Sequence, residues 1–210
     1  MRLKGYDIKS FKCNITNINE VRELFNYSVS QLNRIDALYI VPSINVRKSI
    51  ENYTYEEFER VVDVNLKGSF VLLKEGGISM MRNKEGGSII LISSIRHLVV
   101  EQGQSVYAAT KAAMVQLAKT AAAAWGRYNI RVNCIAPGVV DTPLTRQIKE
   151  DPEWYRAYLN KTALRRWAEP SEIAAVAIFL AMPASSYITG SVIYVDAAWT
   201  SIDGRYEPKV

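Results

Sequence analysis

The sequence predicts an α/β protein built on a parallel sheet, and two adjacent segments provide most of the evidence. Residues 88–93 are a run of apolar and β-branched residues after two glycines, which is typical of a strand buried on both faces. An alanine-rich segment then runs from residue 105 to 125 and stops at Gly126, which predicts a helix ended by a glycine. A strand buried on both faces requires helices above and below it, so the pair indicates a helix-covered parallel sheet.

The other elements continue this alternation of strands and helices. Short apolar runs predict strands at residues 8–13, 35–41, 131–136 and 191–195. Capping-box patterns at Asn17 and at Thr54 predict the starts of two helices, and Pro170 predicts the first turn of another. Residues 143–167 form a long segment rich in aromatic side chains, and loops of this length are usually functional lids.

Composition limits the classes of protein that this chain can represent. Its 210 residues are 49% hydrophobic and 22% charged, which predicts one globular domain over residues 1–210. No apolar run approaches the roughly 20 residues of a membrane span and no cleavable signal opens the chain, so we expect a cytoplasmic protein without membrane partners.

Charge and metal-binding residues restrict the partners further. The net charge of +5 comes from dispersed basic residues, so we expect no nucleic-acid partner, whereas an anionic cofactor or an acidic substrate would suit the positive field. The single histidine excludes a multi-histidine metal site, and no metal is expected. Cys13 and Cys134 are predicted to be buried free thiols.

Three residues around the first turns of the alanine-rich helix form a candidate catalytic group. Tyr107 and Lys111 are four residues apart and therefore share one face of that helix. A phenol has an ordinary pKa of about 10, and a neighbouring ammonium lowers that pKa towards the range in which the hydroxyl exchanges protons with a substrate. Ser94 ends the preceding strand and could hydrogen-bond the same substrate oxygen. The Tyr-x-x-x-Lys pair alone is a weak signal, and the strand-terminal serine makes it specific.

These residues resemble the active-site motif of the short-chain dehydrogenase/reductase family. Other segments match the family in order: residues 63–68 (DVNLKG) resemble the helix with its catalytic asparagine, residues 133–142 its nicotinamide loop, and residues 186–196 its last strand. The resemblance extends from about residue 11 to residue 199. It implies a Rossmann-like, doubly wound parallel sheet.

The resemblance also implies an activity and a set of roles. Family members are NAD(P)-dependent oxidoreductases that transfer a hydride between nicotinamide and a secondary alcohol or ketone. By this resemblance Tyr107 is the acid/base, Lys111 lowers its pKa and binds the ribose, Ser94 holds the substrate oxygen, and Asn65 supports a proton relay through water.

The family also implies which residues contact the cofactor. Besides Tyr107 and Lys111, the implied contacts lie in the nicotinamide loop at Pro137, Gly138, Val140 and Thr142. Asn14 follows the first predicted strand, where the family usually has an aspartate that contacts adenine, and it could equally well close a turn and cap a helix. These residues do not distinguish NAD from NADP.

The sequence departs from the family pattern near the predicted cofactor site. Residues 40–43 (IVPS) replace the family's Asn-Asn-Ala-Gly, and alanines replace the usual glycines at 197 and 198. The Gly-rich TGxxxGxG turn has no counterpart in the 210 residues, which places Met1 near the family's third strand. Two strand–helix pairs, on the order of 50 residues, would then be missing, since a βαβ unit takes about 30. We therefore expect an N-terminally truncated fold, an open edge at the strand 35–41, and weak binding of nicotinamide cofactors.

Two alternatives to an active enzyme follow from these departures. The chain could be a non-catalytic remnant of the family that acts as an interaction or scaffold protein. It could also be a fragment of a longer active enzyme.

Substrate and assembly are predicted less directly. The loop between Ser94 and Tyr107 contains Arg96, His97, Glu101, Gln102 and Gln104, which suits a polyhydroxylated or acidic substrate, although a solvated loop explains the same residues equally well. His97 is predicted to be a surface or substrate contact. Residues 151–167 resemble sugar-acid and polyol dehydrogenases such as gluconate 5-dehydrogenase.

Family members commonly pair the helix 105–125 and the helix with Asn65 across two-fold axes, which implies a homodimer or homotetramer.

Overall fold

Four parallel strands form the centre of the structure, a computed structural model that describes residues 7–202. The strands lie side by side in the order β1 (Ala37–Ile40), β2 (Gly87–Ile92), β3 (Ile130–Pro137) and β4 (Val192–Val195). The helices are α1 (Ile18–Leu32), α2 (Tyr55–Val62), α3 (Ser69–Met80), α4 (Ser105–Trp125), α5 (Arg146–Lys149), α6 (Pro152–Lys161) and α7 (Pro170–Ala181). This arrangement confirms the predicted Rossmann-like fold class.

Helices cover both faces of the sheet. Ile89 and Leu91 of β2 pack into the cluster formed with α1, α3 and α4, whereas Ile90 between them packs with Leu180 of α7. Successive side chains of a strand point to opposite faces, so a strand covered on both sides needs apolar residues at every position. Burial of β2 on both faces therefore explains the uninterrupted apolar run in its sequence.

The predicted strand at residues 8–13 is wrong, because this segment has no regular structure. A strand requires a neighbour that completes its backbone hydrogen bonds, and no strand within residues 7–202 lies beside this segment. The ring of Phe11 instead contacts Tyr27 of α1, with centroids 5.2 Å apart. β1 is consequently an edge strand, and Val41 just beyond it is 58% exposed. Met1, the basis of the expected truncation, lies outside the described residues.

The end of α4 also differs from the prediction. Gly126 has a right-handed backbone (φ −54°) and begins a short 3₁₀ turn, Gly126–Tyr128. The left-handed residue that ends this turn is Asn129 (φ 56°), which leads directly into β3. Asparagine tolerates this conformation better than most residues, so it takes the role that the sequence assigned to glycine.

The segment predicted as a lid, residues 143–167, is largely helical because it contains α5 and α6. Asp151 begins α6 by accepting two backbone hydrogen bonds from the first turn, each 3.0 Å long. The helix then places Tyr158 against Trp199, with ring centroids 5.0 Å apart and nearly perpendicular planes. The segment is therefore a packed wall of the candidate site.

A strained turn after β4 carries Trp199 into this wall. Ala197 and Ala198 both have a left-handed backbone, with φ values of 49° and 62°. The Asp196 carboxylate holds the turn by accepting from Ala198 N at 3.1 Å and from Thr200 N at 2.9 Å. The family's glycines would adopt this conformation without strain.

We expect Ala198→Gly to raise the free energy of unfolding. The left-handed conformation costs a non-glycine residue about 1–2 kcal/mol, and the greater chain entropy of glycine offsets about 0.5–1 kcal/mol of that gain. The midpoint Tm should therefore rise by up to about 6 °C. Ala175→Gly, at an exposed position in the middle of α7, is the matched control and should lower Tm. An equal loss of stability in both variants would contradict the strain at Ala198.

Candidate active site

The three predicted catalytic side chains Ser94, Tyr107 and Lys111 meet at the carboxyl end of β2. Ser94 follows the strand in extended backbone (φ −169°), and Tyr107 and Lys111 lie on the first two turns of α4. All three are buried, with Tyr107 8% and Lys111 1% exposed. In open α/β sheets, ligands bind in the crevice at the carboxyl ends of the strands, so this placement suits a reaction centre.

Asn65 lies in a π-helical stretch, Asp63–Gly68, that joins α2 to α3. Its buried side chain clamps the backbone of Ile44: Asn65 Oδ1 accepts from Ile44 N and Nδ2 donates to Ile44 O, both at 2.8 Å. The same Nδ2 donates to Thr110 Oγ1 on α4 at 3.3 Å. Single π turns within helices are frequent at functional sites. Asn65 thus attaches the coil after β1 to the helix with the catalytic pair, while its role in a proton relay stays a prediction.

The Lys111 ammonium is buried beside a neutral partner. Its Nζ donates to the carbonyl of Ile92 at 2.8 Å and lies 5.5 Å from the centroid of the Tyr107 ring. Burial lowers the pKa of Lys111 from 10.5 to about 8. The carbonyl is a dipole and carries no net charge, so it compensates only part of the cost of burying the ammonium. The protonated form of Lys111 is therefore costly in the folded state.

The pKa of Tyr107 corrects one expectation. Burial raises this pKa above its ordinary value, and the influences that oppose burial come from the Ser94 and Ser43 hydroxyls and from the charges of Arg96 and Arg47. Lys111 is not among them, so the predicted lowering by its ammonium is not what this structure shows. Ser43 Oγ is buried and has no partner at ordinary hydrogen-bond geometry within the described residues. Its influence on the pKa of Tyr107 therefore comes from a weak contact.

A pocket opens beside Ser94 and Tyr107. Its lining also includes Asn45 and Arg47 from the coil after β1, together with Arg96, Gln104, Tyr158 and Trp199. Two buried polar atoms of this lining, Arg47 Nε and Asn45 Oδ1, have no hydrogen-bond partner among residues 7–202. A buried polar group without a partner costs about 1–3 kcal/mol. Both atoms are closed to solvent, so this cost stays with the protein unless the two side chains move.

Glu101 lies between the two arginines of this pocket. Its Oε1 is 3.3 Å from Arg47 Nη1, and its Oε2 is 2.6 Å from Arg96 Nη2. The Tyr158 hydroxyl donates to the same carboxylate at 2.6–2.7 Å, and Gln104 Nε2 donates to it as well. The loop predicted to be either substrate-binding or merely solvated therefore forms one ordered network around a carboxylate.

Comparison with known proteins identifies the family. A family model described as enoyl-(acyl carrier protein) reductase matches residues 3–200. The chain belongs to the short-chain dehydrogenase/reductase family. A tropinone reductase homologue from Arabidopsis thaliana is 40% identical over 163 residues, which are 74% of this chain and 59% of the relative. The aligned part of the chain thus spans less than two thirds of that relative.

Solved structures of short-chain dehydrogenases have the same fold. A putative gluconate dehydrogenase from Agrobacterium tumefaciens has a TM-score of 0.90 at 28% identity, covering 94% of this chain and 78% of that one. A gluconate 5-dehydrogenase from Burkholderia cenocepacia, solved in complex with NADP and tartrate, has a TM-score of 0.86 at 29% identity. That match covers 90% of this chain and 73% of the other.

The predicted nicotinamide loop separates the pocket from a second, apolar cleft. Gly138 lines the pocket, whereas Pro137, Val140 and Thr142 line a cleft of about 470 Å³ together with Ile92. A Cβ on Gly138 would lie 2.9 Å from the Asp196 Cα, so the close approach of loop and turn requires glycine. An apolar cleft beside a buried lysine fits the nicotinamide end of the cofactors that this family uses. No Gly-x-x-x-Gly-x-Gly turn for the pyrophosphate occurs between residues 7 and 202.

Asn14 is placed outside both cavities. Its Oδ1 accepts from Thr16 N at 3.1 Å and from Thr16 Oγ1 at 2.9 Å, and its backbone N–H donates to Glu20 at 2.7 Å. The side chain thus closes the turn before α1, which is the second of the two interpretations open from sequence. The adenine contact stays a prediction.

The site contains residues that the sequence did not indicate. His97 is not part of the pocket lining, and its Nε2 lies 3.0 Å from the Tyr194 hydroxyl on β4, so of its two predicted roles the surface contact is the one observed. Ser43, Asn45 and Arg47 were not predicted. The only sequence signal at these positions is their place directly after the end of β1, where an α/β fold collects functional residues.

Other expected properties concern metals, membranes and assembly. No group of three or more potential metal ligands occurs within residues 7–202. None of the helices in the described part of the chain is long and apolar enough to cross a membrane. The pairing of α4 and of the helix with Asn65 across two-fold axes, the cytoplasmic location and the single domain over residues 1–210 stay predictions.

Proposed function

We propose that this chain is an NAD(P)-dependent oxidoreductase that interconverts a secondary alcohol and a ketone in a polyhydroxylated acid, such as a sugar acid. The main supporting observation is one pocket whose lining contains Ser94 and Tyr107 together with Arg47, which contacts Glu101 through Nη1 at 3.3 Å. The first two groups suit a reacting hydroxyl or carbonyl. A guanidinium whose charge is only partly paired suits a carboxylate at the other end of the same small molecule.

The side chains of this chain divide the reaction between them. Tyr107 donates its hydroxyl proton to the substrate oxygen during ketone reduction and removes that proton during alcohol oxidation. Ser94 holds the same oxygen, and both side chains are largely buried in the wall of the pocket. The cofactor supplies the hydride acceptor or donor at C4 of nicotinamide. Lys111, Tyr107 and the loop residues Pro137, Gly138, Val140 and Thr142 would hold its nicotinamide end.

The related structures support both parts of this proposal. One of them is a gluconate 5-dehydrogenase in complex with NADP and tartrate, and another is a putative gluconate dehydrogenase. Gluconate is a hydroxy acid with a single carboxylate, which matches a pocket with one reacting end and one cationic end. The non-catalytic alternative has no comparable support, because Asn65, Ser94, Tyr107 and Lys111 are all present and buried.

The test compares an acid with its neutral counterpart. We expect the wild-type chain to oxidise gluconate with a kcat/KM at least about tenfold above that for sorbitol, because a charge-assisted hydrogen bond contributes about 1.5–3 kcal/mol. Arg47→Met should remove this preference mainly by raising KM for gluconate, with kcat for sorbitol unchanged. The measurement is nicotinamide absorbance with NAD and with NADP.

Lys48→Met is the matched control, because its ammonium pairs with Glu57 at 2.7 Å on the surface. Equal use of gluconate and sorbitol by the wild type, or an unchanged preference in Arg47→Met, would contradict the acidic substrate.

A further inference from the structure

The two arginines of the pocket are not equivalent, and the difference comes from Glu101. Arg96 Nη2 is 2.6 Å from the Glu101 carboxylate and also donates to the Tyr158 hydroxyl at 3.1 Å. The Arg96 guanidinium lies 5.5 Å from the centroid of the Trp199 ring. Its charge is therefore neutralised and its position is fixed by neighbours within the protein.

Arg47 is less completely engaged. Its single contact to Glu101 is longer, at 3.3 Å, and its buried Nε has no partner in the described part of the chain. The guanidinium lies 4.9 Å from the Trp154 ring centroid, which fixes its plane without using its N–H donors. Arg47 is therefore the less completely paired guanidinium of the pocket lining.

Glu101 lies behind the pocket, where it lines a neighbouring cavity together with Arg96, Tyr158 and Trp199. Its carboxylate is absent from the pocket lining, although Arg47, Arg96, Gln104 and Tyr158, which all contact it, are part of that lining. Two guanidiniums and one carboxylate leave a net charge of +1 beside the substrate. Without the carboxylate the same lining would present two positive charges and would favour a ligand with two negative ones.

We propose that Glu101 is a specificity-determining residue that makes the pocket select substrates with one carboxylate over substrates with two. The inference rests on the proposed function and extends it, because it assigns the charge of the substrate. A second carboxylate near Arg96 would meet a guanidinium already paired with Glu101. It would also lie close to the Glu101 carboxylate itself, which repels it in a partly buried and weakly screened site.

The experiment measures binding, so it does not depend on turnover. Isothermal titration calorimetry of the full chain, with and without NADP, uses D-gluconate as the singly charged probe and galactarate as the doubly charged probe of equal carbon number. We expect the wild type to bind gluconate at least about tenfold more tightly, since one unit charge at a few ångströms is worth more than that factor in a partly buried site. Glu101→Gln should reduce or invert this ratio by about tenfold or more.

Two variants separate charge from structure. Glu101→Asp keeps the charge and should retain the wild-type preference, which a merely structural role of the longer side chain would not allow. Glu153→Gln removes an equal charge from the exposed first turn of α6 and should leave the ratio unchanged. If Glu101→Gln does not fold, Glu101→Ala removes the same charge and should shift the ratio in the same direction.

The outcomes distinguish this inference from the proposed function. If gluconate binds but the Glu101→Gln ratio equals that of Glu153→Gln, the role of Glu101 is refuted and the acidic substrate stands. Equal wild-type affinity for gluconate and galactarate refutes the role of Glu101 as well. If the wild type binds neither acid, both proposals are refuted.

Discussion

Tyr107→Phe should lower kcat for alcohol oxidation by at least about 100-fold, the smaller end of what general acid–base catalysis contributes. The substitution removes one oxygen from a buried side chain and leaves the ring, which packs in the first turn of α4. The loss should be similar for ketone reduction, because the same hydroxyl moves the proton in both directions. The measurement is steady-state turnover of gluconate with added NADP or NAD.

The control for this prediction is Tyr128→Phe, at an exposed position beyond the end of α4. It should leave kcat near the wild-type value. Gluconate binding by calorimetry should persist in Tyr107→Phe, because Arg47 anchors the acid. Near-wild-type turnover in Tyr107→Phe would refute Tyr107 as the acid/base of this site.

Local patterns in the sequence were sufficient to predict the centre of the site. The spacing of Tyr107 and Lys111 fixes a shared helix face, and a strand that ends at Ser94 brings its hydroxyl to the same edge of the sheet. Both conclusions depend on secondary structure alone. The structure confirms the strand and the helix at these positions.

The arginine side of the pocket could not be predicted because non-local contacts create it. Arg47 lies in a coil with no periodic pattern, and its position depends on the clamp between Asn65 and Ile44, which are 21 residues apart. The direction of the pKa shift of Tyr107 was missed for a related reason. A sequence shows which ammonium is four residues away, but how deeply the phenol is buried depends on the whole fold.

The strand predicted at residues 8–13 failed for the same physical reason. An apolar run is compatible with a strand, but only a neighbouring strand supplies the hydrogen bonds that stabilise one. Residues 35–41, by contrast, have β2 beside them and contain β1. Patterns within one segment therefore predict a strand correctly only where a neighbouring strand is present to complete its hydrogen bonds.

Lys111→Met should raise the free energy of unfolding at pH 7 while it abolishes turnover. The folded state holds this ammonium at 1% exposure, with a pKa lowered by burial from 10.5 to about 8. A tenfold change in proton affinity is worth about 1.4 kcal/mol, so keeping the lysine protonated costs the folded state about 3 kcal/mol. Loss of the hydrogen bond to the Ile92 carbonyl offsets about 1 kcal/mol. A net gain of about 2 kcal/mol in urea unfolding remains.

The pH dependence of this gain separates burial of charge from simple repacking. Between about pH 8 and 10.5 the unfolded lysine is protonated while the folded one is not, so the wild type becomes more stable relative to the variant as pH rises. The advantage of Lys111→Met should therefore be largest below pH 8 and should disappear towards pH 10.5. Lys119→Met, exposed on the same helix, is the control and should show no such trend. A gain in Lys111→Met that stays constant across this range would show that packing, and not the buried charge, determines the stability of the site.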